Sequence, residues 1–233
     1  MKIKRTEAPL TPSDLPYTIA MILLDIAAPI LLMLGIKGSS AASASLLNNF
    51  EIVATSLIAL LLFREKITKK LWLAIGLVTA SSILLSIERG ESFSLSAGSL
   101  MVLGACICWG FENNCTRRLS EKNPLEIVIV KGLGSGAGAL IVAFIAGESL
   151  PALWPMVFSM LLGFVAYGLS IFFYIYAQRT LGAAKTSACY AFAPFIGALL
   201  SLLLFQRIPD YLFWLALPIM IAGAWLAAGD GSE

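Results

Sequence analysis

Eight apolar stretches, each long enough to cross a lipid bilayer as a helix, occupy most of this 233-residue chain. A bilayer core of about 30 Å needs about 20 apolar residues per helix. The stretches cover 17–35, 43–63, 71–87, 98–115, 127–147, 153–177, 187–205 and 211–228. Short polar connections separate them, and no long linker is apparent in the pattern. The sequence therefore predicts an all-α, multi-pass membrane protein with eight transmembrane helices.

The composition supports a membrane protein and excludes several kinds of chemistry. With 59% hydrophobic and 13% charged residues, the chain has too little charge to cover a folded surface in water. There is no histidine, which excludes His-based triads and His metal sites. The four cysteines form no C-x-x-C pair, which favours small buried hydrophobes over a zinc or redox site. We therefore expect no cofactor, no metal and no enzymatic activity.

The distribution of lysine and arginine predicts the orientation of the chain. With eight spans, the N-terminal tail, the second, fourth and sixth connections, and the C-terminus lie on one side. These segments carry 12 of the 16 Lys and Arg residues; the other side carries Lys37, Arg89 and Arg207, and Lys131 lies within a span. Because cytoplasmic loops are enriched in positive charge, both termini are predicted to be cytoplasmic. This rule explains the basic connections without a nucleic-acid partner.

The chain contains an internal repeat at an offset of 142 residues, with 37–87 matching 179–229 without a gap. Matched positions include Phe50 with Phe192, Trp72 with Trp214, and the run 60–63 with 202–205. Spans one to three thus correspond to spans six to eight. The shift of five spans is odd, so equivalent helices cross the membrane in opposite directions, as in the inverted repeats of many secondary transporters.

A repeat of five spans predicts ten helices, whereas eight are present. The predicted organisation is a cytoplasmic tail, 1–16, a partial first repeat of three helices, 17–97, and a second repeat of five helices, 98–233. Either the true start lies upstream of Met1, or the protein is a reduced variant; the sequence alone leaves both open.

Two motifs carry a resemblance to a known transporter family. The first is a small-residue run, 39–47, followed by an apolar helix that exits through 62–68; the stretch 182–205 repeats this pattern and includes Pro194. The second is Cys108-Trp109-Gly110-Phe111-Glu112-Asn113-Asn114, then Thr116-Arg117, then Lys131-Gly132. The chain resembles the EamA-type permeases of the drug/metabolite transporter (DMT) superfamily, lacking the first two helices of their ten-helix pattern. Gln206-Arg207 departs from the acidic exit expected in the second half.

The resemblance implies a secondary transporter in the bacterial inner membrane that carries a small metabolite or drug-like molecule. We expect an exporter that works by alternating access and is driven by a gradient, because the sequence has no ATP-binding motif. The expected partners are the lipid bilayer and a small-molecule substrate, and a homodimer is allowed. The alternative is a non-transporting membrane subunit, or a truncated carrier fragment that needs a partner.

Two buried charges on consecutive spans are predicted to pair. Glu112 and Lys131 each lie five residues from the basic or acidic residue that marks the cytoplasmic interface, a depth of about 7.5 Å. At equal depth they can relieve each other's desolvation, either as a static clasp or as part of the pathway. On this pairing alone, Glu112→Gln should be more damaging than the double change with Lys131→Met.

Asp25 and Glu51 are two further carboxylates within spans, and the sequence suggests no basic partner for either at equal depth. They can titrate in a low-dielectric cavity, as a proton-coupled carrier requires. Alternatively, they hydrogen-bond to polar neighbours such as Asn48 and Asn49, or pair with the missing helices.

The remaining pathway candidates are polar or aromatic residues within the spans. Tyr167 belongs to an aromatic cluster in span six that either lines a cavity or contacts lipid and core. The predicted substrate or ion pathway comprises Asp25, Asn48, Glu51, Trp109, Glu112, Asn113, Lys131, Tyr167 and Tyr190.

A glycine series in span five, which includes Gly134 and Gly138, is not a phosphate-binding loop because no βαβ unit accompanies it. Small residues four positions apart instead predict close packing against another helix.

Overall fold

The computed structural model describes residues 7–39, 44, 47–85, 96–193, 195–196, 199–200, 203 and 211–229, and these residues are mostly helical. The helices are α1 (Leu15–Lys37), α2 (Phe50–Leu61), α3 (Lys69–Leu85), α4 (Ala97–Leu119), α5 (Pro124–Ile145), α6 (Leu153–Leu162), α7 (Ser170–Tyr190) and α8 (Tyr211–Ala228). A π-helical segment, Gly163–Leu169, joins α6 to α7. The prediction of an all-helical chain therefore holds throughout the described residues.

Three helical stretches are long and apolar enough to cross a bilayer: Pro12–Lys37, Pro124–Ile145 and Leu153–Tyr190. Two apolar helices, Phe50–Leu61 and Tyr211–Ala227, are shorter. These helices give the protein its membrane character, while the count of eight spans stays a prediction. Part of the predicted span 187–205, including Pro194, lies outside the described residues. Most of the small-residue run 39–47 also lies outside them, as do Gln206 and Arg207.

The predicted connection between spans six and seven contains the observed break in α7. The sequence predicts that span six ends at residue 177 and that span seven begins at 187, and Gly182, which lies between them, has non-helical backbone angles. Its φ of 80° and ψ of 173° form a backbone conformation that residues with a Cβ rarely adopt. The helical backbone on either side of Gly182 runs further than the sequence predicts, so the break is confined to the glycine.

Helix α7 restarts after Gly182 with a side-chain cap. The backbone N–H of Ala183 donates to Glu65 Oε2 at 3.0 Å. The first N–H groups of a helix have no partner within the helix, and a carboxylate there is favoured by the helix dipole. Glu65 belongs to the exit motif 62–68, so this motif has a structural role at the helix break.

The chain forms two compact units, each assembled from segments that are distant in the sequence. The first unit comprises Met1–Ile26 and Glu112–Gly182, and the second comprises Ala27–Phe111 and Ala183–Glu233. The two units are defined by which residues contact each other and not by sequence similarity. The division of the sequence into repeats at 17–97 and 98–233 therefore stays a prediction.

Polar contacts in the first unit tie the N-terminal segment to the ends of several helices. Arg179 Nη1 lies 3.0 Å from Glu7 Oε1, and the same guanidinium donates to the backbone oxygens of Ser120 and Lys122. The backbone N–H of Leu10 donates to the Glu126 carboxylate at 2.9 Å. The N-terminal tail and the connections predicted to share its side of the membrane are therefore joined here.

Asp14 lies in this polar layer, at the start of α1. Its carboxylate accepts from the Thr11 hydroxyl at 2.6 Å and from the Thr11 N–H at 2.9 Å, and Lys122 Nζ lies 3.0 Å away. These hydrogen bonds, those of Thr11 first, lower the pKa of Asp14 from 3.8 to about 2. The contacts of Asp14 therefore favour folding above about pH 4, and this contribution is lost as the pH falls towards 2.

The sequence prediction of close packing by Gly134 and Gly138 is confirmed in the first unit. A Cβ added at Gly134 would lie 2.7 Å from the Cδ1 of Ile22, and one at Gly138 would meet the Cδ1 of Ile26. Gly132 and Gly136, on the same helix, have no such neighbour within 4 Å. Helix α5 thus places only the alternate glycines against α1.

The second unit contains an apolar core in which α3 packs along α8. Its most buried large side chains include Phe195, Phe213, Leu71, Ile75 and Met220. The Lys70 ammonium group donates to the carbonyl of Gly229 at the end of α8, which satisfies one of the carbonyls that a helix end leaves without a partner.

Candidate functional site

Three charged side chains meet inside the first unit. Lys131 Nζ, on α5, lies 2.9 Å from Glu112 Oε1, on α4, and 3.7 Å from Asp25 Oδ1, on α1. Asp25, Glu112 and Lys131 expose only 5%, 3% and 5% of their surface. One ammonium group is therefore shared by two carboxylates in an apolar interior. We call these three residues the charge cluster.

Hydrogen-bond donors from neighbouring turns and helices complete the charge cluster. The Thr116 hydroxyl, one turn after Glu112 on α4, donates to Glu112 Oε1 at 2.5 Å. Tyr167, in the π-helical segment, donates its hydroxyl to Asp25 Oδ2 at 2.7 Å. Its ring centroid also lies 5.9 Å from Lys131 Nζ, within the range of a cation–π interaction.

The predicted pairing of Glu112 with Lys131 is confirmed, but the expectation that Asp25 has no basic partner is wrong. Counting residues from the membrane interface predicts only the depth at which the backbone of each residue lies. A lysine has a four-carbon stem, so its ammonium group can reach a carboxylate that lies about a turn deeper. Lys131 uses this reach to contact Asp25 as well as Glu112.

A polar cavity of about 230 Å³ lies within the second unit. Its polar lining consists of Asn48, Asn49, Glu51, Ser82, Ser187 and Tyr190, and its apolar lining consists of Ile52, Ala191 and Ala193. The Asn48 Oδ1 atom is buried and accepts no hydrogen bond from the described residues. A buried amide oxygen without a donor is costly, so this atom is suited to accept a hydrogen bond from a bound solute or water.

The structure brings three of the predicted pathway residues together at this cavity, namely Asn48, Glu51 and Tyr190. It brings four others, Asp25, Glu112, Lys131 and Tyr167, into contact in the charge cluster. The last two predicted residues lie elsewhere. Trp109 is half-buried and does not line the cavity, and the backbone oxygen of the buried Asn113 accepts from Gln178 Nε2 at 2.9 Å.

Sequence reasoning missed several hydroxyl groups at both sites, including Thr116 at the charge cluster and Ser82 and Ser187 at the cavity. Serine and threonine are common in membrane helices, where they also serve close packing. The only available signal was position: Thr116 lies four residues after Glu112, a spacing that places both on one face of a helix.

Within the described residues, no group of three or more His, Cys, Asp or Glu side chains could hold a metal ion. The charge cluster offers two carboxylates, and a lysine already occupies the space between them. Its donors and acceptors therefore suit protons and hydrogen bonds better than a metal.

Comparison with known proteins identifies the family. A family model described as the EamA-like transporter family matches residues 1–87 and 96–229. The chain belongs to this family. The resemblance to the DMT superfamily and its EamA-type permeases is thereby confirmed, and the family match together with the apolar helices supports a membrane protein.

Curated relatives of this EamA-family chain are transporters that have not been characterised. An uncharacterised transporter from Methanothermobacter thermautotrophicus is 26% identical over 225 residues, which cover 90% of this chain and 63% of the relative. The uncharacterised transporter YyaM from Bacillus subtilis is 22% identical over 185 residues, which cover 73% of this chain and 59% of the relative. The chain thus spans about three fifths of the length of these relatives.

The EamA-family fold is also present among solved structures. One crystal structure matches with a TM-score of 0.79 over 91% of this chain and 76% of its own, at 17% sequence identity. At this identity the match establishes the shared fold.

Proposed function

We propose that this EamA-family protein is a gradient-driven secondary transporter that exports a small polar metabolite by alternating access. The observation that carries the proposal is the cavity of about 230 Å³ with its amide, hydroxyl and carboxylate lining in an otherwise apolar helical unit. Drug-sized ligands occupy pockets of about 300–1,000 Å³. The smaller volume favours a small metabolite over a larger drug-like molecule.

The positions that line the cavity support an inverted repeat. Asn48 and Tyr190 both line it and are separated by the repeat offset of 142 residues, as are Glu51 and Ala193. In the first unit, the Asp25 carboxylate accepts a hydrogen bond from the hydroxyl of Tyr167, and these two residues are again 142 positions apart. Residues near a two-fold axis meet their own equivalents, so these pairs are expected where two inverted repeats face each other.

The proposed topology has eight spans in the bacterial inner membrane, with both termini in the cytoplasm. It is supported by the excess of Lys and Arg in the connections predicted to be cytoplasmic. It is also supported by the contacts of Glu7 with Arg179 and of Asp14 with Lys122, which join three segments that this topology places on one side.

An uptake assay tests the function. Purified protein in proteoliposomes is first screened for uptake of labelled amino acids, amines, nucleosides and sugars, with and without a pH gradient. For a transported probe, Asn48→Ala and Glu51→Gln should each lower uptake by about tenfold or more, because a hydrogen bond to a charged group contributes about 1.5–3 kcal/mol. Glu148→Gln, which removes an exposed carboxylate outside the cavity, should leave uptake unchanged.

Equal uptake by Asn48→Ala, Glu51→Gln and the control would exclude this cavity as the substrate site. Stable insertion without uptake of any probe would favour the alternative function, a membrane subunit or fragment that needs a partner. The chain covers about three fifths of the length of its curated relatives. Co-expression with a partner protein therefore tests this alternative.

A further inference from the structure

Residues 7–14 form an N-terminal strap that lies against the connection between α4 and α5. Ala8 forms an isolated parallel bridge with this connection, and its carbonyl accepts from the backbone N–H of Asn123 at 2.9 Å. The backbone N–H of Leu10 donates to the carboxylate of Glu126, at the start of α5, at 2.9 Å. Because main-chain groups of the strap are paired at two positions, the strap and the connection form one polar layer.

A single side chain of α7, Arg179, makes three polar contacts with this layer. Its guanidinium group lies 3.0 Å from Glu7 in the strap and donates to the backbone oxygens of Ser120 and Lys122 in the connection. It also lies 5.1 Å from the ring centroid of Tyr176, whose hydroxyl donates to the same Glu7 carboxylate. A planar guanidinium group has five donors in a fixed arrangement, so it can serve several acceptors at once.

The contacts of Arg179 are only partly shielded from water, whereas the residue beside it is fully buried. The side chains of Arg179 and Glu7 are 17% and 23% exposed. Gln178 is 0% exposed and donates to the backbone oxygen of Asn113, on α4, at 2.9 Å. Three residues after Arg179, the backbone of Gly182 is non-helical, so Arg179 lies in the last turn of a helical stretch. Contacts that water can replace therefore hold this end of α7 against α4.

We propose that Arg179 is the latch of a cytoplasmic gate and holds this end of α7 closed on the strap and on the α4–α5 connection. The inference rests on the proposed transport function, in which the cavity must open to each side of the membrane in turn. Arg179 lies in the connection 178–186, which the proposed topology places in the cytoplasm, and α7 also carries Ser187 and Tyr190 of the cavity lining. In the open state the guanidinium group exchanges its three protein partners for water, while the strap stays bonded to the connection.

A static clasp would have the same contacts but different consequences. If Arg179 only stabilised the fold, the end of α7 would separate from α4 when the whole protein unfolds. A gate opens at a much lower free energy, because segments that move during function are among the least stable parts of a folded protein. The accessibility of the buried position 178 therefore distinguishes a gate from a clasp.

Thiol modification at position 178 tests the latch without any substrate. With the four native cysteines replaced by alanine, Gln178→Cys places a thiol at the buried position beside Arg179. Inverted membrane vesicles, in which the cytoplasmic face is outside, are treated with a membrane-impermeant thiosulfonate. We expect Arg179→Gln to raise the modification rate at least about tenfold, because a thiol reacts once water reaches it. Arg117→Gln is the matched control and should leave the rate unchanged, since Arg117 contacts Ser120 and Glu121 next to its own helix end.

Two milder variants extend this measurement in case Arg179→Gln does not fold. Arg179→Lys keeps the positive charge but loses the planar set of donors, and Glu7→Gln removes the charged acceptor. Each should raise the modification rate, but less than Arg179→Gln does. Circular dichroism establishes that each variant is folded. An unchanged rate in every folded variant of Arg179 and Glu7 would overturn the proposal, and so would an equal rise in Arg117→Gln.

A reversible lock tests whether transport requires the gate to open. Glu7→Cys/Arg179→Cys, joined by a short bifunctional thiosulfonate, should lower uptake of the probe found in the transport screen at least about tenfold, because the closed gate then cannot open. A reducing agent should restore uptake. Ala8→Cys/Lys122→Cys, joined as a disulfide, is the control, because it tethers the strap to the connection and leaves α7 free. Uptake that continues in the locked protein would identify a static clasp.

The two measurements separate this inference from the proposed function. If no probe is transported, the proposed function fails, while the modification rate at position 178 still shows whether Arg179 holds α7 closed. If a probe is transported and the rate does not respond to changes at Arg179, the latch is wrong and the cavity proposal stands.

Discussion

Replacing Lys131 by methionine should destabilise the protein by about 3–5 kcal/mol, the cost typical of removing one partner from a buried ion pair. The change leaves Asp25 and Glu112 buried at 5% and 3% exposure without the ammonium group that both contact. Unfolding in detergent, followed by circular dichroism, measures the loss. Lys122→Met provides the control: Lys122 pairs with Asp14 in the polar layer at 3.0 Å, where the ion pair is partly open to solvent and its loss should cost much less.

The stability of combined variants distinguishes a three-residue charge cluster from an isolated pair of Glu112 and Lys131. If Glu112 and Lys131 formed an isolated pair, the double variant Glu112→Gln/Lys131→Met would recover the stability lost by either change. Because Asp25 also contacts Lys131, that double variant strands Asp25, and Glu112→Gln alone leaves a balanced pair. We therefore expect Glu112→Gln to be the milder change, which reverses the expectation from the sequence. The lost stability should be recovered only in the triple variant that adds Asp25→Asn. If the double variant already recovers it, Asp25 is not a member of the charge cluster.

Among the described glycines of the second unit, Gly98→Ala should be the most damaging substitution, with a cost of about 3 kcal/mol or more, at the upper end of overpacking effects. An added Cβ would lie 2.6 Å from the carbonyl oxygen of Gly35 and would also meet the backbone of Gly38. These contacts are to main-chain atoms of α1 and its end, so no side-chain rotation can relieve them. The helices themselves would have to separate.

Gly76→Ala is the matched control for this prediction, because Gly76 lies within α3 of the same unit and a Cβ there would have no neighbour within 4 Å. Alanine is the better helix former by about 1 kcal/mol, so Gly76→Ala should be neutral or stabilising. Thermal unfolding in detergent measures both variants. Equal stability of the two would show that α1 and α4 do not approach as closely as the structure indicates.

The sequence predicted the membrane class because hydropathy depends on composition over a span of about 20 residues, which the chain shows directly. The ion pair of Glu112 with Lys131 was also predictable, since both residues could be placed by depth from charged residues at the interface. The role of Asp25 was not. Its contact depends on how α1 packs against α5, and this packing is set by Gly134 against Ile22 and Gly138 against Ile26, not by depth alone.

The cavity was predictable only in part. Asn48 and Glu51 were recognised because polar residues in an apolar span need an explanation, and Tyr190 was recognised by position. Ser82 and Ser187 carry no such signal, because serine is tolerated in membrane helices. The break at Gly182 lies within the connection 178–186 that the sequence predicts, whereas its positive φ follows from the tertiary fold.

If the cavity lined by Asn48, Glu51 and Tyr190 is part of the proposed transport pathway, water must reach it, and cysteine accessibility measures this. In a background with the four native cysteines replaced by alanine, Ala191→Cys places a thiol in the cavity lining, just after α7. Ala188→Cys places one at a fully buried position in the last turn of α7. A membrane-impermeant, positively charged thiosulfonate should modify Ala191→Cys at least about tenfold faster than Ala188→Cys, because thiol reactivity requires access to water. Equal rates, or no modification of Ala191→Cys from either side of the membrane, would contradict the account.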